Sequence, residues 1–139
     1  MKKIIAISLL MASCYTRTAF NFKLKPTNNK GGYVISILKD KLLHDKDSAV
    51  VYGFVREIEH NKPLINSRIK IGCYSIDIDN NGFYHFKERI MDEIYLTSSW
   101  IGYKTVETES FKLERGDSIR VDFFLASDDR PLINCEKDD

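Results

Sequence analysis

The feature that most constrains this chain is an alternation of apolar and polar side chains with a period of two, which recurs from Ala49 to Leu125. Side chains two residues apart in a strand share a face, so this pattern predicts strands with one buried face each. Turn residues interrupt the pattern about every 8–12 residues, which predicts an all-β antiparallel sandwich of about seven strands. The side chains expected in its core are those of Val51, Val55, Ile69, Ile71, Leu96, Ile119, Val121, Phe123 and Leu125.

Length and charge limit what can accompany such a domain. The chain has 139 residues, enough for one domain and an appendage, and its composition is not that of a disordered protein. A net charge of +1 lacks the basic excess expected of a nucleic-acid-binding protein. We divide the sequence into a lipoprotein signal peptide (1–13), a lipidated N-terminus and tether (14–48), the β domain (49–126) and an acidic tail (127–139).

The N-terminus has the layout of a bacterial export signal. Lys2 and Lys3 precede an apolar run over 4–11, and two small residues then precede Cys14. The run is too short to span a bilayer as a permanent helix. The small-small-Cys ending resembles a lipoprotein lipobox, although Met11 stands where Leu is commoner. The resemblance implies that Cys14 carries the lipid, and the alternative is an ordinary secretory signal in which Cys14 is incidental.

A lipid anchor at Cys14 predicts a protein of the cell envelope whose first partner is the membrane. Residues 15–19 lack the acidic run associated with export to the cell surface. We therefore expect attachment to the outer membrane, with the protein facing the periplasm. Several acyl chains together hold a protein firmly, whereas a single chain binds only marginally.

The segment before the β domain allows two structures. Residues 15–32 are polar and contain Pro26, which predicts a tether. Over 33–43, apolar residues recur at four-residue spacing, which predicts a short amphipathic helix. A strand is the alternative, because this segment opens with three β-favouring residues. The recurring apolar residues are Val34, Leu38 and Leu42.

Five segments of the β domain stand in a known order: VYGFV at 51–55, KPL at 62–64, SRIKI at 67–71, DNNGFYHF at 79–86 and SWIGYKT at 99–105. Together they resemble the carboxypeptidase regulatory-like domain, a transthyretin-like Greek-key β-sandwich common in bacterial envelope proteins. The Ile-Gly-Tyr-Lys run is the most specific part, and Gly53 fits as a space for a packed ring opposite. One departure is Asn66-Ser67, where the family usually has Gly-Ala.

The resemblance implies a function without catalysis. In that family the domain carries no catalytic residues of its own and occurs on peptidases, ahead of outer-membrane receptors, or alone in small lipoproteins. We therefore expect an accessory or binding module with no cofactor, whose partner is an envelope protein or a glycan and not a nucleic acid. Trp100 and Tyr103 form the candidate binding patch, although strand parity favours packing against the core for Trp100. The alternatives are a structural spacer and a calcium-binding or hydrolytic transthyretin-like protein.

Residues 77–88 contain a calcium-binding sequence pattern. Asp77, Asp79, Asn81 and Glu88, with Gly82, match the EF-hand loop in full. An EF-hand aims these oxygens from two flanking helices, but here both flanks alternate with a period of two. We therefore reject these four residues as calcium ligands and predict a hairpin turn between two strands. In that turn Asp79 and Asn81 bond nearby backbone amides, and Gly82 supplies a positive φ.

The histidines and the remaining cysteines give no clear site. His44, His60 and His85 share no ligand spacing with one another or with a cysteine, so we expect no metal. Cys73 is in phase with the buried positions of its strand, which predicts a buried thiol. Pairing of Cys73 with Cys135 stays open, because a disulfide needs Cα atoms within about 7 Å and the sequence contains no distance.

Overall fold

A computed structural model describes residues 23–28, 30–39 and 47–130, and within these ranges every regular element is a strand. None of the described residues forms a helix of the length and apolar character that a membrane crossing requires. The predicted signal peptide, Cys14, His44 and Cys135 lie outside these ranges. The strands are β1 (Lys25–Pro26), β2 (Gly32–Lys39), β3 (Ser48–Glu57), β4 (Arg68–Ile71), β5 (Tyr74–Asp77), β6 (Phe83–Arg89), β7 (Met91–Ile94), β8 (Thr97–Ser99), β9 (Val106–Glu107), β10 (Phe111–Leu113) and β11 (Asp117–Leu125).

These strands form three sheets. Their strand orders are β1-β2-β11-β3-β6, β5-β4-β8-β9 and β10-β7. Among the described strands every pairing is antiparallel except that of β3 with β11, which run parallel. The all-β prediction is confirmed, with two corrections: one pair of strands is parallel, and the described residues form eleven strands where about seven were predicted. A parallel pair requires a long crossover connection. Residues 58–116 supply it, and they contain β6 of the same sheet and all the strands of the other two sheets.

One core is shared by the three sheets. The nine side chains expected there are all buried, which confirms the faces assigned to β3, β4 and β11. Val55, Ile69 and Ile94 come from three different sheets and belong to the same buried cluster. Because the two larger sheets both turn apolar faces to this cluster, their other faces point outward on opposite sides of the molecule. This layering is consistent with a β-sandwich.

β2 corrects the helix predicted over 33–43, because the described part of that segment is a strand. It pairs antiparallel with β11 along its whole length. A spacing of four residues is also two strand periods, so Val34 and Leu38 share a face in either structure. The long partner strand decides between them, because β11 satisfies backbone hydrogen-bonding groups along β2, whereas a short isolated helix is marginal in water. Leu42 lies outside the described residues.

The central strand β3 approaches β11 closely at Gly53, where an added Cβ would overlap the backbone carbonyl of Val121. Gly53 lies directly opposite Tyr84 of β6, whose side chain is fully buried. The Tyr84 hydroxyl donates a hydrogen bond of 2.6 Å to the Val121 carbonyl. Gly53 therefore leaves room for a packed ring, as predicted, and that ring ties β6 to β11 across β3.

Candidate functional site

Trp100 follows β8 directly and opens a tight turn. Gly102 in this turn has a φ of 83°, a conformation that glycine adopts with least strain. The Tyr103 amide donates to the Trp100 carbonyl at 3.2 Å and closes the turn. Ile101 stands at its tip and is 80% exposed, so its side chain contributes little to the core.

An open groove of about 530 Å³ lies beside this turn, on the outward face of the four-stranded sheet. β4 pairs with β8, so Arg68 stands opposite Ser99, and Lys70 lies two residues further along β4. Trp100 packs partly against the core and also lines the groove. We call it the Trp100 groove, and its lining residues are Asn66, Arg68, Lys70, Ser99, Trp100 and Ile101.

The lining of the Trp100 groove suits recognition of a mixed polar and apolar surface. Arg68 and Lys70 offer cationic hydrogen-bond donors, while Trp100 and Ile101 offer apolar contact area. Tryptophan and arginine are also the side chains most enriched where binding energy concentrates in protein interfaces. Among the described residues that line the groove, the polar groups are the side chains of Asn66, Arg68, Lys70 and Ser99 and the indole N–H of Trp100.

Tyr103, the other half of the predicted patch, does not line the Trp100 groove. Its hydroxyl donates to Glu57 Oε1 at 3.2 Å, and its ring packs against the core. Burial first, and then the Glu57 carboxylate, raises the pKa of Tyr103 above its ordinary value. The structure thus joins Trp100 with Arg68 and Lys70 rather than with Tyr103. The sequence pattern did not indicate those two basic partners. An apolar residue directly before a turn glycine, as Ile101 is, could have indicated an exposed apolar side chain at the site.

The residues of the rejected calcium loop lie in a turn and the two strands beside it. Asp79 Oδ1 accepts hydrogen bonds from the amides of Asn81 and Phe83 at 2.8 and 2.9 Å. Gly82 has a φ of 75°, the positive value that was predicted. Asp77 is exposed at the end of β5, and Glu88 lies within β6, well beyond the turn. Strands flank the turn on both sides.

The turn at Asp79 nevertheless corrects the predicted hairpin. β5 belongs to the four-stranded sheet and β6 to the five-stranded sheet, so the two strands do not pair. The chain changes sheets here, and β6 pairs with β3 instead. Local turn residues specify the reversal of direction, whereas the choice of partner strand depends on the packing of both sheets.

The histidines lie at two separate places. His60 is exposed, with Nδ1 3.1 Å from Glu57 Oε2, and His85 stacks on the Phe83 ring at 5.8 Å. Glu57, Glu59 and His60 each place one ligand atom within 4.8 Å of the others. The contact of His60 with Glu57 and the Tyr103 bond to the same carboxylate explain the position of Glu57 and His60 as that of a turn stabilised by polar contacts. His44 lies outside the described residues.

Cys73 is exposed, so the prediction of a buried thiol is wrong. β4 ends at Ile71, and Gly72, with a φ of 54°, turns the chain into β5 so that Tyr74 pairs with Ile71. The turn breaks the two-residue phase on which the prediction depended. Cys73 is a free thiol in the described residues, and Cys135 lies outside them.

Comparison with known proteins adds no relative. A scan of the chain against protein-family models finds no match, and a search of curated proteins finds none either. The resemblance to the carboxypeptidase regulatory-like domain therefore stays a prediction from five short segments.

Proposed function

We propose that this chain is a lipid-anchored accessory module of the bacterial cell envelope that binds another envelope component and catalyses no reaction of its own. The observation that carries the binding role is the Trp100 groove, where an indole and two basic side chains lie beside the exposed Ile101. The anchor is proposed from the sequence over 1–14, with Cys14 as the lipidated residue. The outer membrane, with the protein facing the periplasm, is the proposed location.

The proposed fold is a Greek-key, transthyretin-like sandwich of the carboxypeptidase regulatory-like type. The shared core of the two larger sheets supports this assignment, as does the turn at Gly102, which lies in the most specific of the five resembling segments. Fold by itself does not define a ligand, so the binding role depends on the groove. Its occupant is an envelope protein or a glycan that presents polar and apolar groups side by side.

Site-specific photo-crosslinking tests the binding role. A benzophenone amino acid replaces Ile101 in the full chain, expressed in its own cells, and covalent adducts are detected after irradiation. The matched control places the same group at Tyr74, which is 75% exposed and lies outside the Trp100 groove. We expect one dominant adduct from position 101 and none of that size from position 74.

A second substitution separates binding from chance proximity. Trp100→Ala is added to the chain that carries the benzophenone at position 101, where it removes the largest apolar contact of the groove. It should abolish the adduct from position 101 and leave the products from position 74 unchanged. Equal adducts from both positions, or an adduct that survives Trp100→Ala, would contradict the proposal. The complete absence of an adduct at position 101 would favour a structural spacer.

A further inference from the structure

Aromatic side chains gather on the outward side of the five-stranded sheet. Strand register places Phe83 of β6 beside Phe54 of β3, and His85 beside Tyr52. The Phe54 and Phe83 rings lie 5.2 Å apart, and the Phe83 and His85 rings lie 5.8 Å apart. All four side chains are partly or fully exposed. We call the surface made by the outward residues of β2, β3, β6 and β11 the outer face.

The outer face also has a basic excess. Asp122 is the only carboxylate among the outward residues of its four described strands. The guanidinium carbons of Arg56 and Arg120 lie 5.0 and 5.8 Å from the centre of the Phe54 ring. A chain with a net charge of only +1 thus concentrates positive charge on one side. The basic side chains of the outer face are Arg56, Lys87, Arg89 and Arg120.

A groove of about 270 Å³ crosses the outer face between β2 and β11. Asp122 is held firmly in it, since Oδ1 accepts the Phe54 amide at 3.0 Å and Oδ2 accepts Arg120 Nε at 2.9 Å. These bonds fix a carboxylate and a guanidinium beside the aromatic rings, so a ligand would meet a pre-organised polar pair. The groove is lined by Val34, Ser36, Arg120, Asp122 and Phe124.

We propose that the outer face binds an acidic polysaccharide whose sugars carry carboxylates. The apolar faces of sugar rings pack on aromatic side chains, and sugar carboxylates accept hydrogen bonds from arginine. Sugar hydroxyls donate to the Asp122 carboxylate. This surface lies on the opposite side of the molecule from the Trp100 groove, so the inference does not depend on the function proposed for that groove.

The position of Asp122 favours a sugar chain over a nucleic acid. Aromatic rings and basic side chains on a sheet also suit single-stranded nucleic acid. A fixed carboxylate in the groove needs hydrogen-bond donors from the ligand, however, and DNA offers it no hydroxyl donors along the chain. A sugar chain supplies such donors on every ring. The experiment must therefore compare binding of single-stranded DNA with binding of the acidic sugar chain.

Calorimetric titration of the full chain in detergent with a galacturonic acid hexamer tests this inference. The fully methyl-esterified hexamer is the matched control, because it keeps the sugar rings and removes the charge. We expect binding of the acid form that weakens with added salt, and at least about tenfold weaker binding of the ester. Arg56→Gln and Phe54→Ala should each weaken binding of the acid form by about tenfold.

Arg115→Gln is the control variant, because Arg115 is an exposed basic residue that lies between β10 and β11 and lines neither groove. It should leave the affinity within about twofold, whereas a loss equal to that of Arg56→Gln would show that the hexamer responds only to overall positive charge and would contradict the inference. A thermal melt of each variant verifies that it folds. If Phe54→Ala does not fold, Arg56→Gln alone still tests whether the outer face binds the hexamer. No binding of the hexamer, equal binding of its ester, or tighter binding of oligo-dT or polyglutamate would overturn the inference.

Discussion

Tyr84 crosses the middle of the five-stranded sheet with a polar group at its end. Its hydroxyl is buried and donates to the Val121 carbonyl at 2.6 Å, above the space that Gly53 leaves. Burial holds the pKa of Tyr84 well above the ordinary tyrosine value, since an ionised phenolate there would lose its hydration. The nearby Asp122 carboxylate acts in the same direction.

Tyr84→Phe should cost about 0.5–1.5 kcal/mol of unfolding free energy at neutral pH, because it leaves the Val121 carbonyl without this partner. The folded-state pKa of Tyr84 is raised, so the contribution of its neutral hydroxyl is complete below the unfolded pKa of about 10 and is lost as pH rises further. The difference between parent and variant should therefore narrow above about pH 10.

Urea denaturation across neutral and alkaline pH measures this difference. Tyr74→Phe is the matched control, since Tyr74 is 75% exposed, and its stability should follow that of the parent at every pH. If the unfolding free energies of Tyr84→Phe and the parent differ by the same amount at neutral and at alkaline pH, the assigned direction of the Tyr84 pKa is wrong.

At the scale of elements, residues 77–88 have two interpretations: a calcium-binding loop, or a turn that carries the chain from one sheet to the other. The turn between β5 and β6 distinguishes them. An added Cβ at Gly82 would lie 2.8 Å from the Val55 carbonyl oxygen and 3.0 Å from Pro63 Cβ. The φ of 75° is a further obstacle to a β-branched residue. The turn therefore needs glycine for reasons that involve no metal.

Gly82→Val should lower the unfolding free energy by about 2–3 kcal/mol, equally with and without millimolar calcium. Asp77→Ala, an exposed change at the end of β5, should alter it by less than about 0.5 kcal/mol. Thermal melts of the parent and both variants, each with and without calcium, separate the two accounts. A calcium-dependent rise in the parent Tm that disappears in Asp77→Ala would restore the calcium site.

At the scale of the whole molecule, the two proposed binding surfaces lie on opposite faces of one layered domain. The Trp100 groove belongs to the four-stranded sheet, and the outer face belongs to the five-stranded sheet. A membrane anchor at Cys14 would be joined to β1 through residues 15–24, the part of the predicted tether that precedes the first strand. That arrangement depends on lipidation, which has a direct test.

Cys14→Ser should abolish lipid attachment and move the protein from the membrane to a soluble fraction, because only a thiol carries the thioether-linked lipid. Metabolic labelling with a palmitate analogue, followed by fractionation, measures both effects. Cys73→Ser is the control, since Cys73 is a free and exposed cysteine outside the proposed anchor, and it should keep the label. Label retained in Cys14→Ser at the parent level would rule out the anchor.

At both candidate sites, the sequence indicated single residues but not the partners that they meet. Trp100 and Tyr103 stand three residues apart, yet only Trp100 lines the groove, because Tyr103 turns to Glu57. Arg68 joins Trp100 only through the pairing of β4 with β8. On the outer face, Phe54 and Asp122 are 68 residues apart in the chain and are brought together by the pairing of β3 with β11. No local pattern contains that pairing.

The sequence by itself determined the all-β class, the nine buried core positions and the positive φ at Gly82, because each depends on local geometry: the alternation of side chains along a strand, or the lack of a Cβ. Only the tertiary structure decided that 32–39 is a strand, that Cys73 leaves the core, and that β5 and β6 belong to different sheets. These outcomes depend on strand order and register, which are set by contacts between residues far apart in the chain.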